Sequence, residues 1–139
     1  MLSFALLAIA AVQPIDRTPE QARGVVQRYY AAIERGDYHG AYRLWSGKGQ
    51  ASSQSYAAFT RGFARTAHTR VVAGAPIDGE GAAGSVFITV PVRVYATLKN
   101  GRHQRFAGQY ILRRVNDVDG ATREQLSWHL TSATLRPIG

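Results

Sequence analysis

The chain has the length of one domain, since 139 residues can bury a single sizeable core. A hydrophobic fraction of 45% against a charged fraction of 19% excludes general disorder. The 17 basic and 9 acidic residues give a net charge of +8, but the arginines are scattered and no aromatic-basic RNA motif occurs. We therefore predict solvated surface charge and no nucleic-acid partner. Cysteine is absent, which excludes disulfides, thiol catalysis and thiolate metal sites.

The N-terminal stretch MLSFALLAIAAVQP is apolar and has the length of a signal peptide, too short to span a bilayer. Ala8-Ile9-Ala10 supplies the small-x-small pattern of a cleavage site, although no Lys or Arg precedes Arg17. We expect residues 1–17 to be a signal-peptide-like segment with a short lead-in, and the protein to be periplasmic or secreted, without a stable membrane span. The alternative is an uncleaved apolar N-terminus packed on the domain of a cytoplasmic protein.

The first helix has clear start and stop signals. Thr18 is a good N-cap, Pro19 suits the first helical position, and Gln21 completes the spacing of a capping box. Gly36 predicts the end of the helix because glycine adopts the left-handed conformation there. Apolar side chains recur between these signals at helical spacing and predict one buried face: Ala22, Val25, Val26, Tyr29, Tyr30 and Ile33.

Two further helices are predicted before the pattern changes. Asp37 is suited to cap a short second helix that ends near Trp45, and residues 46–53 read as a loop. Ser53 is a candidate cap for a third helix. The apolar side of that helix would carry the residues Tyr56, Phe59, Phe63 and Ala67.

The second half of the chain alternates with the period of a strand from about residue 69. Four strands are predicted, at residues 71–77, 85–98, 105–115 and 127–138, and Asn100-Gly101 is a strong hairpin signal. Pro91 predicts a bulge or an edge position. The predicted fold class is α+β: three N-terminal helices packed on a strongly curved, four-stranded or slightly larger antiparallel sheet that forms a cone, as one domain over residues 18–139.

Residues 25–45, VVQRYYAAIERGDYHGAYRLW, have a helix-glycine-aspartate-aromatic-helix pattern, and Trp128 and Leu130 end a strand-turn-strand unit. In these features the chain resembles the nuclear transport factor 2-like superfamily, the cystatin-like α+β cone that includes SnoaL-type cyclases and steroid isomerases. The likeness covers roughly residues 18–137. It implies that Tyr29, Tyr30, Tyr42 and Trp45 line the seam between helices and sheet, but it is nearly silent on activity because this fold hosts enzymes, binding modules and scaffolds.

The resemblance implies that a proton-transfer enzyme of this family would hold an Asp, Glu or His in the pocket, usually beside a Tyr or His. Every acid of the chain falls at a helix end, in a turn or before the fold begins, and no acid occurs from Gly81 to Asn116. Histidines lie on the second helix (His39), near the predicted end of the third (His68), after the hairpin turn (His103) and beside Trp128 (His129). None has the spacing of a metal site, so we predict no catalytic residue, metal or cofactor.

The remaining candidate site is an apolar cone with polar tips, suited to a small hydrophobic molecule. The residues predicted to line it are Tyr30, His39, Trp45, Tyr56, Tyr110, Trp128, Ser132 and Thr134, the last two on the strand face of Trp128. A cone filled by its own side chains is the alternative. Arg93 and Arg113, if they face outward, make a basic sheet surface for another protein.

The leading hypothesis is a non-catalytic, exported small domain. It would bind a hydrophobic ligand in the cone or a protein partner on the sheet face, where a homodimer is one possibility. The alternative is a SnoaL-like or isomerase-like enzyme that uses a pocket His or Tyr, with His39 as the first candidate. An assembly component of the type IV secretion class fits least, because such domains normally follow a full transmembrane helix.

Overall fold

The computed structural model describes residues 17–79, 81 and 84–139. The predicted signal-like segment lies almost wholly outside these residues and stays a prediction. The helices are α1 (Pro19–Glu34), α2 (Tyr38–Arg43), α3 (Tyr56–Arg61) and α4 (Arg123–Leu126), with a 3₁₀ turn at Gln50–Ser52. The strands are β1 (Thr66–Ala73), β2 (Ile77–Asp78), β3 (Ser85–Leu98), β4 (His103–Val115) and β5 (His129–Pro137).

The first helix begins and ends at its predicted signals. The Thr18 side chain accepts a hydrogen bond from the Gln21 N–H, and Pro19 occupies the first turn. Gly36 adopts a φ of +78° directly after the helix, a conformation that glycine reaches without strain. All six apolar residues predicted for its inner face are buried, together with Ala32.

The prediction for the third helix is wrong at both ends. Ser55 caps α3, since its side chain accepts from the Ala58 N–H, and the helix ends at Arg61. The chain then turns, and β1 begins at Thr66, so Ala67 and His68 belong to the sheet rather than to the helix. The physical reason is long-range: residues 66–73 pair with β3, and this ladder outweighs the local helical spacing.

The sheet is antiparallel in the order β1-β3-β4-β5, and the two-residue β2 pairs with β3 as a fifth strand. The predicted α+β class and curved antiparallel sheet are therefore confirmed. Pro91 pairs with Gln109 in an unbroken β3–β4 register, so no bulge occurs there. On its other side Pro91 accepts a hydrogen bond from Gly74, where β1 has ended and β2 has not begun. Because no strand pairs with Pro91 on that side, the absence of a backbone N–H in proline removes no hydrogen bond from the sheet.

The core lies between α1 and the concave face of the sheet. Val90, Leu112 and Leu130 are its most buried strand residues, and Val26 is their counterpart on α1. A parallel bridge between Trp45 and Leu130 ties the end of the helical layer to β5. No helix in the described part of the chain is long and apolar enough to cross a membrane.

Candidate functional site

Four aromatic rings fill the centre of the cone. Tyr29, Tyr30, Trp45 and Tyr110 are each at most 7% exposed. Their ring centroids lie 5.1–6.2 Å apart, mostly edge to face. Such pairs add stability beyond the burial of their area. This part of the interior is therefore occupied by the chain's own side chains.

The Tyr30 and Tyr110 hydroxyls form a buried hydrogen bond of 2.5 Å. Burial raises the pKa of both phenols above the ordinary value, because the phenolate would lose its hydration. Burial also raises the pKa of Tyr29 to about 12, and the nearby Trp45 indole N–H partly opposes this rise. That N–H has no partner of full hydrogen-bond geometry within the described ranges. The aromatic cluster is thus neutral over the physiological pH range.

We expect Tyr110→Phe to lower the free energy of unfolding by about 1–3 kcal/mol, because it leaves the Tyr30 hydroxyl buried without its partner. The double variant Tyr30→Phe/Tyr110→Phe should cost less than the sum of the two single variants. Urea denaturation at pH 7 measures all three. Additive losses would contradict a direct hydrogen bond between the two hydroxyls.

An open groove of about 800 Å³ lies beside this cluster. One wall is α1, through Gln27, Tyr30, Ala31 and Glu34. The other wall is formed by β1 and by the ends of β3 and β4 next to the Asn100-Gly101 turn, including Thr69, Val71, Ala96 and Gln104. Of the residues predicted to line a pocket, only Tyr30 lines this groove.

Glu34 and His68 form a hydrogen-bonded pair at the rim of the groove. His68 Nδ1 lies 2.8 Å from Glu34 Oε1, and the Thr69 backbone N–H donates to Glu34 Oε2 at 2.6 Å. These two contacts, the Thr69 N–H first, hold the pKa of the Glu34 carboxyl below its ordinary value. An ionised carboxylate only accepts hydrogen bonds, so Nδ1 is the donor and Nε2 of the neutral ring is left as an acceptor.

The fold positions this pair through two local features. Glu34 is the last residue of α1, where the helix dipole disfavours a negative charge, so its ionised form depends on Thr69 and His68. His68 follows an irregularity in the β1–β3 register between Thr66 and His68, and such bulges re-aim side chains. The side chains of Glu34 and His68 are 40% and 71% exposed, so the pair is accessible to a solute.

The sequence interpretation missed this pair for identifiable reasons. The sequence places Glu34 at a helix end and predicts His68 on a different helix, so no local pattern links the two residues. A carboxylate at a helix C-terminus, against the dipole, was the available signal. His103, on the neighbouring strand end, also lines the groove, and its Nδ1 lies 3.3 Å from the Thr97 hydroxyl.

The other predicted pocket residues lie apart from the groove. Trp45 and Tyr110 are in the aromatic cluster, and the Trp128 indole donates to the Thr18 carbonyl at 3.1 Å. His39 is exposed and packs edge to face on Tyr56 at 5.7 Å, on the outer surface of α2 and α3.

The predicted face of Ser132 and Thr134 is wrong. A bulge between Ile111 and Leu112 inserts one extra β5 residue, so that Leu130 pairs with Leu112 but Ser132 pairs with Ile111. Leu112 faces the core, and Ile111 therefore faces away from it. Because side chains alternate along a strand, the extra residue moves Ser132 and Thr134 to the opposite face of the sheet.

Within residues 17–79, 81 and 84–139, no group of three or more His, Asp or Glu side chains is placed to hold a metal ion. The Glu34–His68 pair therefore supplies two ligands at most. The chemistry available to the groove itself is hydrogen bonding and proton transfer.

Three solved structures are similar to the chain along most of its length. Aln2 from a Streptomyces species is 14% identical, with a TM-score of 0.53 over 89% of this chain and 94% of its own. A candidate scytalone dehydratase from Novosphingobium aromaticivorans is 13% identical, with a TM-score of 0.58 over 86% and 83%. A candidate aromatic ring hydroxylase from the same organism is 14% identical, with a TM-score of 0.58 over 88% and 92%.

These structures share the SnoaL-like, nuclear transport factor 2-like cone, which confirms the resemblance at the level of the fold. No protein-family model matches the sequence, and no curated protein is significantly similar to it. Identities of 13–14% carry the fold alone. Function must therefore be argued from the groove.

Proposed function

We propose that the protein binds a small aromatic or otherwise largely apolar molecule in the groove between α1 and the strand ends. The observation that carries the proposal is the groove itself, whose volume of about 800 Å³ falls in the range of small-molecule sites. Ala31, Val71 and Ala96 offer apolar surface, while Glu34 and Gln104 offer polar atoms that orient a ligand. Two of the similar structures carry names that refer to aromatic compounds, which favours this class.

The groove is a better binding site than the centre of the cone. The aromatic cluster leaves Tyr30 and Tyr110 hydrogen-bonded to each other, so neither hydroxyl is free for a ligand without breaking that bond. Only the edge of the cluster, at Tyr30, reaches the groove wall. A ligand in the groove would therefore contact the edge of the Tyr30 ring on one side and place its polar groups at the rim.

Filling the groove tests this proposal. Ala31 is exposed on α1 and lines the groove, so Ala31→Trp should occupy the space without entering the core. We expect the affinity for 2-naphthol, followed by isothermal titration calorimetry, to fall about tenfold or more, since one blocked apolar contact surface costs about 1.4 kcal/mol or more. Ala57→Trp, on the exposed side of α3 and away from the groove, is the matched control.

The result that would contradict groove binding is equal affinity in Ala31→Trp and in the unmodified protein. The proposed ligand class would be wrong if neither 2-naphthol nor a panel of one- and two-ring aromatic molecules bound at millimolar concentration. Native mass spectrometry of the purified protein is an independent check, because a retained aromatic metabolite would identify the ligand directly.

A second candidate function is proton transfer on the bound molecule, the enzymatic alternative predicted from the sequence. It is favoured by one specific observation, the 2.8 Å contact between His68 Nδ1 and the ionised Glu34. The carboxylate fixes the tautomer that leaves Nε2 as the proton acceptor, which is the arrangement a general base requires. His68, not His39, is the residue that this function would use.

A further inference from the structure

The face of the sheet that points away from the core carries an arginine near the same level on each of its four long strands, and β4 carries a second one, Arg113, farther along. The four at the same level are Arg70 on β1, Arg93 on β3, Arg105 on β4 and Arg136 on β5, and we call them the arginine row. Arg70 is paired with Tyr95, and Arg93 and Arg136 are both paired with Ala107. Each arginine is therefore a diagonal neighbour of the next, at about 7–8 Å between Cα atoms.

Alternation along the strands fixes the direction of these side chains. Val92 and Val94 are 4% exposed in the core, so Arg93 between them points the other way. Directly paired residues share a face, which places Arg136 on the same face as Arg93, with Ala107 of β4 between them. The Arg70 guanidinium stacks on the Tyr95 ring at 4.2 Å, also on this outer face.

The positive charge of the arginine row is not neutralised locally. None of the four arginines has an ion-pair partner among the described residues, and Arg105 donates only to the Gly139 carbonyl. The sequences of β1, β3, β4 and β5 contain no Asp or Glu. Asp78 on β2 pairs with the core residue Ile88, so it lies on the other side of the sheet.

A groove with apolar lining lies at the part of the row formed by Arg93 and Arg136. It has a volume of about 540 Å³, and Pro91, Ala107 and Gly108 line it together with these two arginines. Val72, at its margin, is 50% exposed. A narrow apolar strip flanked by cations fits an extended chain with its own side chains better than it fits the flat surface of a bilayer.

We propose that this outer face binds an acidic, extended segment of a partner protein. Three inter-strand spacings separate Arg70 from Arg136, about 14 Å, which an extended chain spans with four to five residues. Carboxylates at alternate positions of such a segment fall on one side and meet the arginine row, while its backbone lies over Pro91 and Ala107. Charge complementarity selects this partner over a second copy of the chain, whose own row would oppose it.

The test uses an eight-residue peptide of alternating Glu and Thr, with alternating Gln and Thr as its uncharged control, titrated into the full chain by calorimetry. We expect the Glu peptide to bind, and binding to weaken as NaCl rises from about 50 to 300 mM, because the contacts are exposed ion pairs. Arg93→Gln/Arg136→Gln should weaken binding about fivefold or more. Arg70 and Arg105 also line the ligand groove, whereas Arg93 and Arg136 do not, so this double variant tests the proposal independently of the proposed function.

Arg28→Gln/Arg43→Gln removes the same charge from exposed helical positions and is the matched control. Equal losses in both double variants, or equal binding of the Gln peptide, would reduce the effect to general charge and overturn the proposal.

A wild-type dimer in sedimentation experiments that Arg93→Glu disperses would assign the face to a second copy instead. Binding to phosphatidylglycerol vesicles but not to the peptide, lost in Arg93→Gln/Arg136→Gln, would assign it to a membrane. Thermal melts establish that each variant is folded.

Discussion

Gly108→Ala is expected to lower the free energy of unfolding by about 3 kcal/mol or more, since it forces β5 away from β4. Gly108 pairs with Leu135, and a Cβ built at Gly108 would overlap the backbone carbonyl of Thr134. The obstacle is main chain, so no side-chain rotamer can relieve it. Either the β4–β5 ladder separates locally or the whole C-terminal strand shifts.

Gly24→Ala makes the same chemical change where the structure accepts it. Gly24 lies inside α1, and a Cβ there meets only the end of the Arg28 side chain at 3.5 Å, an ordinary contact. We expect this control to stabilise the protein by about 0.5–1 kcal/mol, because alanine loses less backbone entropy in a helix. Urea denaturation of both variants measures the contrast. A Gly108→Ala protein as stable as wild type would contradict the close approach of β4 and β5.

The sequence predicted those elements whose local pattern and tertiary environment agree. Thr18 and Gly36 bound α1 because capping is a local effect, and the alternation of residues 85–98 identifies β3 because its inner face is buried along its length. The predicted extent of the third helix was wrong because residues 66–68 continue a helical spacing in sequence, while pairing with β3 decides their structure.

The candidate site depended on features that one sequence does not contain. Glu34 and His68 meet across 34 positions, and their contact rests on how the end of α1 packs against β1. The face of Thr134 depends on a single extra residue in the β4–β5 register, which hydrophobic alternation does not reveal. The sequence suggested a basic sheet surface from Arg93 and Arg113, whereas the four-strand row required the pairing register.

The stabilising aromatic cluster and the two proposed binding surfaces occupy different parts of the fold. The hydroxyls of Tyr30 and Tyr110 satisfy each other, so the aromatic cluster holds the helices on the sheet without a ligand. The groove at the rim and the outer face of the sheet also carry polar and charged side chains outside the core, among them His68 and Arg93. Substitutions at His68 or Arg93 should therefore change function while the fold persists.

His68→Gln is expected to lower the rate of any proton transfer in the groove by about 10²–10⁴-fold, because it removes the acceptor Nε2 and keeps a similar side-chain volume. The measurement is deuterium incorporation next to the carbonyl of 1-tetralone, an aromatic ketone of groove size, followed by NMR in D₂O. Glu34→Gln should lower the rate less, since it removes the orienting charge and leaves the ring in place. Because the pKa of the Glu34 carboxyl is held below its ordinary value, the orienting charge is retained throughout the neutral pH range in which the exchange is measured.

His39→Gln distinguishes proton transfer by His68 from proton transfer by His39, the candidate that the sequence suggested. His39 lies on the outer surface against Tyr56, so its replacement should leave the exchange rate unchanged. Calorimetry with 2-naphthol on His68→Gln distinguishes lost chemistry from lost binding. Two outcomes would contradict proton transfer: deuterium incorporation no faster with the wild-type protein than in buffer although aromatic molecules bind, or equal incorporation rates with His68→Gln and wild type. In either case the Glu34–His68 pair orients a ligand without moving its protons, and the groove is a receptor site.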